Sequence, residues 1–171
     1  MGQVVAGDHG RRGQRAGHGG QTSRVARYWL KVNGTGDRPF DDGDWSRRRR
    51  EWVRRHGEVS MFPRVPSIEP GDRLVEYAAG SARFFGEGRL FAVSEAVSEP
   101  QPSPHERWPV QVVTRTVVAG PRLEFCPSVD DIGVMLRSLG RHSHIRLSDE
   151  QGSAAEALIA AAADRYGSLA S

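Results

Sequence analysis

The stretch Pro70-Gly71-Asp72-Arg73-Leu74-Val75-Glu76-Tyr77 decides how this chain is read. Proline followed by glycine sets up a tight turn, and the residues after it form a short, mostly apolar strand that ends on an aromatic ring. A second strand is predicted about forty residues upstream, at Arg27-Tyr28-Trp29-Leu30-Lys31-Val32-Asn33. Alternation places Tyr28, Leu30 and Val32 on one of its faces and Trp29 and Lys31 on the other. A Gly-rich hairpin and a late Arg146-Leu147-Ser148 follow, and that order points to a small β-barrel.

Working outward, Asn33-Gly34-Thr35-Gly36 ends the first strand as a turn. Asp44 or Ser46 caps a predicted helix that runs through Arg55 and stops at Gly57, and residues 57–70 read as an irregular, Pro-marked connection. After the strand over 73–79, a longer strand is predicted from Phe84 to Val97, bent at Gly86 and Gly88. Residues 99–107 read as a Pro-rich loop, and Val110 to Val117 as another strand. A short helix is expected over 129–139, capped by Ser128 or Asp130, and a last short strand at His144–Leu147. Ser148-Asp149-Glu150-Gln151 is a capping-box pattern that opens an Ala-rich helix to about Tyr166, with Ala155, Leu158, Ile159 and Ala162 as its packing face. Most strand-to-strand links lack a crossover helix, so the expected fold class is α+β, a mixed pseudo-barrel of about five to six strands with flanking helices.

At 171 residues the chain is long enough for one real core. The net charge of +3 is unevenly placed. Residues 1–24 hold Arg11, Arg12, Arg15 and Arg24 against Asp8, while the rest balances 20 basic against 20 acidic residues. That leader is Gly-rich and free of aromatics, so it is expected to be disordered: either a solvated tail or an arm touching nucleic-acid phosphates. The folded domain is expected over 25–167, with a short tail at 168–171. No apolar run reaches the roughly 18 residues of a membrane helix, no signal-like segment opens the chain, and Cys126 is the sole cysteine. The expectation is a cytoplasmic protein without membrane contact.

Two features carry chemistry. Arg47, Arg48, Arg49, Arg50, Arg54 and Arg55 crowd one short helix, interleaved with Trp45 and Trp52. They read either as a phosphate-contacting surface or as a solvated face balanced by Asp41, Asp42, Asp44, Glu51 and Glu58. The aromatic residues Trp29, Trp45, Trp52, Tyr77 and Trp108 offer flat faces for stacking. Trp29 and Trp52 are assigned to the core. Trp45 and Tyr77 are the pocket candidates, Tyr77 because the small residues Ala78, Ala79, Gly80 and Ser81 after it let a base edge approach the backbone. His142 and His144 sit two apart without any zinc-type spacing, and no dinucleotide, P-loop or nucleophile-elbow pattern is present, so no metal or cofactor is expected.

Together these residues resemble the EVE domain of the PUA-like superfamily, related to YTH and ASCH domains. The resemblance rests on Tyr28-Trp29-Leu30-Lys31, on Pro70-Gly71-Asp72 leading to Tyr77, on Gly88-Arg89-Leu90-Phe91-Ala92-Val93, and on Arg146-Leu147-Ser148, and it covers about residues 26–165. EVE chains commonly continue the first strand as Lys-Ser-Glu-Pro; here it continues as Lys31-Val32-Asn33-Gly34. The resemblance implies a reader of a modified base in DNA or RNA, working without catalysis. A base swung out of its stack would enter between Trp45 and Tyr77. Asn33, Ala79 and Ser81 would read its edge, and His144 would line the pocket, or else be a hydrogen-bonded loop histidine. Lys31, Arg47, Arg48, Arg50, Arg54 and Arg146 would hold phosphates. A modification or defence enzyme is a conceivable partner. Two rivals stay open. ASCH-like folds include hydrolases of modified nucleosides, for which Lys31 and Glu76 would supply acid–base chemistry; a perturbed lysine beside a carboxylate in a cleft would favour that reading, and a dry aromatic cage the reader. The third is a protein-interaction module docking through the tryptophan face of residues 45–52.

Overall fold

A computed structural model describes residues 25–34, 58–139 and 142–168. The leader and the stretch read as an arginine-rich helix, with Trp45, Trp52, Arg47, Arg48, Arg50 and Arg54, lie outside the described residues.

The turn at 69–72 forms as its residues dictate. Asp72 N donates to Glu69 O at 3.0 Å, and Gly71 takes φ +88°, the left-handed position that a turn with proline second requires of its third residue. The Asp72 carboxylate then ties the turn to the start of the first strand. It accepts from Glu69 N at 3.0 Å, from the Trp29 indole at 3.0 Å and from the Arg27 guanidinium at 2.8 Å.

Seven strands follow among the described residues: β1 (Tyr28–Asn33), β2 (Val59–Phe62), β3 (Arg73–Ala78), β4 (Arg89–Ala96), β5 (Gln101–His105), β6 (Trp108–Ala119) and β7 (His144–Arg146). Their order in the sheet is β2-β6-β4-β3-β1-β7, with β5 also paired to β6. β1 and β3 run parallel, with Lys31 opposite Glu76; the other pairings are antiparallel. The sheet curls until its two ends meet through side chains. The ring of Phe62 on β2 lies edge-on to His144 on β7, with centroids 5.2 Å apart. The fold is therefore an α+β pseudo-barrel, closed at this seam by side-chain packing.

The outer face carries the larger core. Leu30, Val75, Tyr77, Leu90 and Val93 pack against Ala155 and Ile159 of the helix α2 (Asp149–Tyr166). That helix starts on the predicted capping box, with Ser148 and Gln151 exchanging side-chain-to-backbone bonds. On the inner face Phe62, Ile68, Leu74, Ala96 and Val112 form one apolar cluster; a separate cluster gathers Ala78, Phe91, Ala92, Ala119, Leu123 and Cys126. No described helix is long and apolar enough to cross a membrane.

Several elements depart from expectation. β2 falls inside the stretch read as irregular and β5 inside the stretch read as a loop; both pair with β6, whose length gives short, Pro-flanked segments a template. The long strand expected from Phe84 is instead a one-turn helix α1 (Ala82–Phe85), stopped by Gly86 at φ +77°, and then β4. The helix expected over 129–139 is two 3-10 turns, Asp130–Ile132 and Leu136–Ser138, because Gly133 at φ +69° breaks the path between them. Leu158, expected on the packing face of α2, is 38% exposed; Gly152 takes that role instead, lying buried under Tyr28.

Candidate functional site

Side chains of laterally paired residues project from the same face of a sheet. Register alone therefore aligns His144, Lys31 and Glu76 in one row across β7, β1 and β3. The row lies on the inner face: Lys31 Nζ is 5.3 Å from the Phe62 ring centroid, and Phe62 is fully buried. Lys31 is 6% exposed and Glu76 7%, so the strand alternation that elsewhere buries leucine and valine here buries an amine and a carboxyl group.

The row is knitted by short polar contacts. Asn33 Nδ2 donates to Glu76 Oε2 at 2.7 Å and to Lys31 O at 3.2 Å. Lys31 Nζ donates to Val32 O at 2.7 Å. Ser143 Oγ and His144 Nδ1 share a hydrogen bond of 2.9 Å. Burial pushes the Lys31 amine below its ordinary range, and Glu76 opposes that push. Burial also lowers His144, and Lys31, Arg64 and His142 lower it further.

Aromatic walls flank the row. Phe62 stands on one side, and the half-buried Trp29 lies 5.6 Å from His144, its indole fixed by Asp72. Arg146, largely exposed, places its guanidinium 5.4 Å from the Trp29 ring centroid.

Of the residues singled out in the sequence, Asn33, Lys31, Glu76 and His144 come together, and Arg146 stands at their edge. Tyr77 does not join them. It points to the outer face, 5% exposed, packed over Gly88, where a Cβ would collide with its ring. Burial raises its hydroxyl above the ordinary range, as expected of a core tyrosine. Ala79 and Ser81 are committed elsewhere. Ala79 N donates to Asn33 O at 2.7 Å, while Ser81 Oγ donates to Ala78 O and accepts from Arg89 N, closing the turn into α1. Lys31, expected at the phosphates, is buried too deeply to meet a nucleic-acid backbone. Trp29, assigned to the core, packs against the inner-face cluster and also borders the row. Phe62 was missed, because its strand carries only four residues between prolines and glycine.

No protein-family model matches the sequence, and no curated protein does. Among solved structures, the chain is similar to a hypothetical protein from Leishmania major, with a TM-score of 0.47 and 13% identity over 75% of this chain and 91% of that one. It is also similar to the protein Atu2648 from Agrobacterium tumefaciens, with a TM-score of 0.46 and 16% identity over 74% and 88% of the two chains. A third similar structure is Rpa0253 from Rhodopseudomonas palustris, with a TM-score of 0.44 and 13% identity over 80% and 94%.

Proposed function

We propose that this protein is an EVE-like, PUA-like module that binds a modified nucleobase of DNA or RNA on the inner face of its barrel. The observation that carries this reading is the buried row His144–Lys31–Glu76 with Asn33 beside it, set between the rings of Trp29 and Phe62. A base needs this combination: donors and an acceptor for its edge, aromatic surface for its faces, and exclusion of water so that each hydrogen bond counts. Asparagine both donates and accepts, and Glu76 accepts from an exocyclic amine. Arg146 beside Trp29 is an exposed cation at the edge of this row that can meet a phosphate, and phosphate contact makes binding salt-dependent.

The test is a binding screen by fluorescence anisotropy, using oligonucleotides with a methylated, hydroxymethylated or plain base at two salt concentrations. The reading expects a preference for one modified base that persists at both salts, and its loss in Asn33→Ala and Trp29→Ala proteins that remain folded. Binding that ignores the modification, or that survives both substitutions, would sink the base site.

A second reading has its own observation. Lys31, lowered by burial beside Glu76, is the perturbed pair that an ASCH-like hydrolase of modified nucleosides would use. Chromatography of modified nucleosides incubated with the protein separates the two: turnover abolished by Glu76→Gln favours the enzyme.

A further inference from the structure

Lys31 is the only lysine in the chain, and its position is unusual for one. An ammonium carries three donors and is kept at the surface or paired. Here Nζ is buried, and among the described residues its one hydrogen bond is to the Val32 carbonyl; no carboxylate lies within ion-pair distance of it there. A neutral amine, with two N–H donors, leaves fewer of them unmet by that single acceptor than an ammonium with three, and it keeps a lone pair. To either side, in register, stand an imidazole and a carboxylate, His144 and Glu76.

We propose that the Lys31 amine captures an aldehyde-bearing ligand, a formylated nucleobase, as a reversible imine on the inner face of the barrel. The proposal rests on the base-binding reading above and names the class of base. An amine whose lone pair is free, in an aromatic-walled site, is the arrangement that lysine-based carbonyl capture requires. The nitrogen adds to the formyl carbon, and one of its protons passes to the oxygen, giving a carbinolamine. The hydroxyl then leaves with the second nitrogen proton as water, and the C=N bond remains. No oxidant or reductant is involved. His144 and Glu76, in register on either side of the amine, supply the proton transfers of the two steps. Burial lowers the Lys31 amine, which increases the neutral fraction available at neutral pH.

The full chain is incubated with an oligonucleotide carrying one 5-formylcytosine, or with the free formylated nucleoside, in the presence of sodium cyanoborohydride, which reduces an imine to a stable amine. Intact mass and peptide mapping then locate the adduct. Because the α-amine is the only other primary amine, the assignment is unambiguous. The expected result is an adduct at Lys31 that forms at least several-fold faster than on the urea-unfolded chain, since burial lowers the folded amine and raises its neutral fraction. Lys31→Arg, checked for folding by circular dichroism, should give no adduct at that position while the background adduct at the α-amine stays unchanged. Adduct confined to the α-amine, or formed equally fast on the unfolded chain, overturns the proposal. Base-selective binding without a Lys31 adduct overturns the imine and leaves the reader standing. A Lys31 adduct with the free nucleoside but no oligonucleotide binding supports the imine and removes the nucleic-acid reading.

Discussion

Asp72 is the single side chain on which most local order converges. Its buried carboxylate accepts from Arg27, Trp29 and the Glu69 backbone, so one residue fixes the turn, the entry to β1 and the plane of the Trp29 wall. Asp72→Ala leaves the Trp29 indole N–H without its acceptor and the Arg27 guanidinium with only Glu69 and the Ser67 carbonyl, and should lower stability by about 2 kcal/mol in urea unfolding. His144 gives a second test at this scale. Burial and the nearby Lys31, Arg64 and His142 hold it below its ordinary 6.5, so the unfolded chain takes up the proton first on acidification. Its contribution to stability is complete above 6.5 and is lost as pH falls through the lowered folded value. His144→Gln should therefore flatten the loss of stability between about pH 7 and pH 5, read from urea midpoints across that range. The turn around Asp72 is legible in the residues alone, because proline, glycine and aspartate each have a local preference. The role of Tyr77 is not. An aromatic residue followed by small ones looks like a pocket rim, and only the pairing of β3 between β1 and β4 shows that its ring turns to the outer core.

Among the elements, α2 is the one most completely readable in advance, since a capping box and an alanine-rich run are local signals. Its contact with the sheet is not local. Gly152 lies in the first turns of α2, where replacement of glycine by alanine ordinarily gains about 1 kcal/mol of helix propensity. Here a Cβ would collide with the Tyr28 ring, so Gly152→Ala should instead lower the thermal midpoint by several degrees in a melt followed by circular dichroism. The short strands β2 and β5 were invisible for a related reason. Four or five residues between prolines carry too little alternation to stand out, and both exist because the 12-residue β6 offers an edge to pair with. The 3-10 turns between β6 and β7 imitate a helix in composition, but Gly133 adopts a left-handed conformation that ends the first of them.

At the scale of the molecule, the parallel pairing of β1 with β3 creates the site. It brings Lys31 opposite Glu76 across 45 positions of sequence, which no local pattern announces, although both charges stand in plain view within apolar strands. The curl then carries Phe62 over the row and leaves β2 and β7 joined by rings. The far side of the sheet raises a different matter, that of protection. β5 is an exposed strand, and an exposed strand ordinarily invites another chain to pair with it. Pro102 and Pro104 each lack an amide donor, so β5 offers a passing strand two fewer ladder groups than its five residues would otherwise supply. Replacing both prolines by threonine would restore those donors while keeping the pairing to β6. The double variant should scatter more light than the parent during refolding from urea at equal concentration; equal scattering would show that the prolines guard nothing.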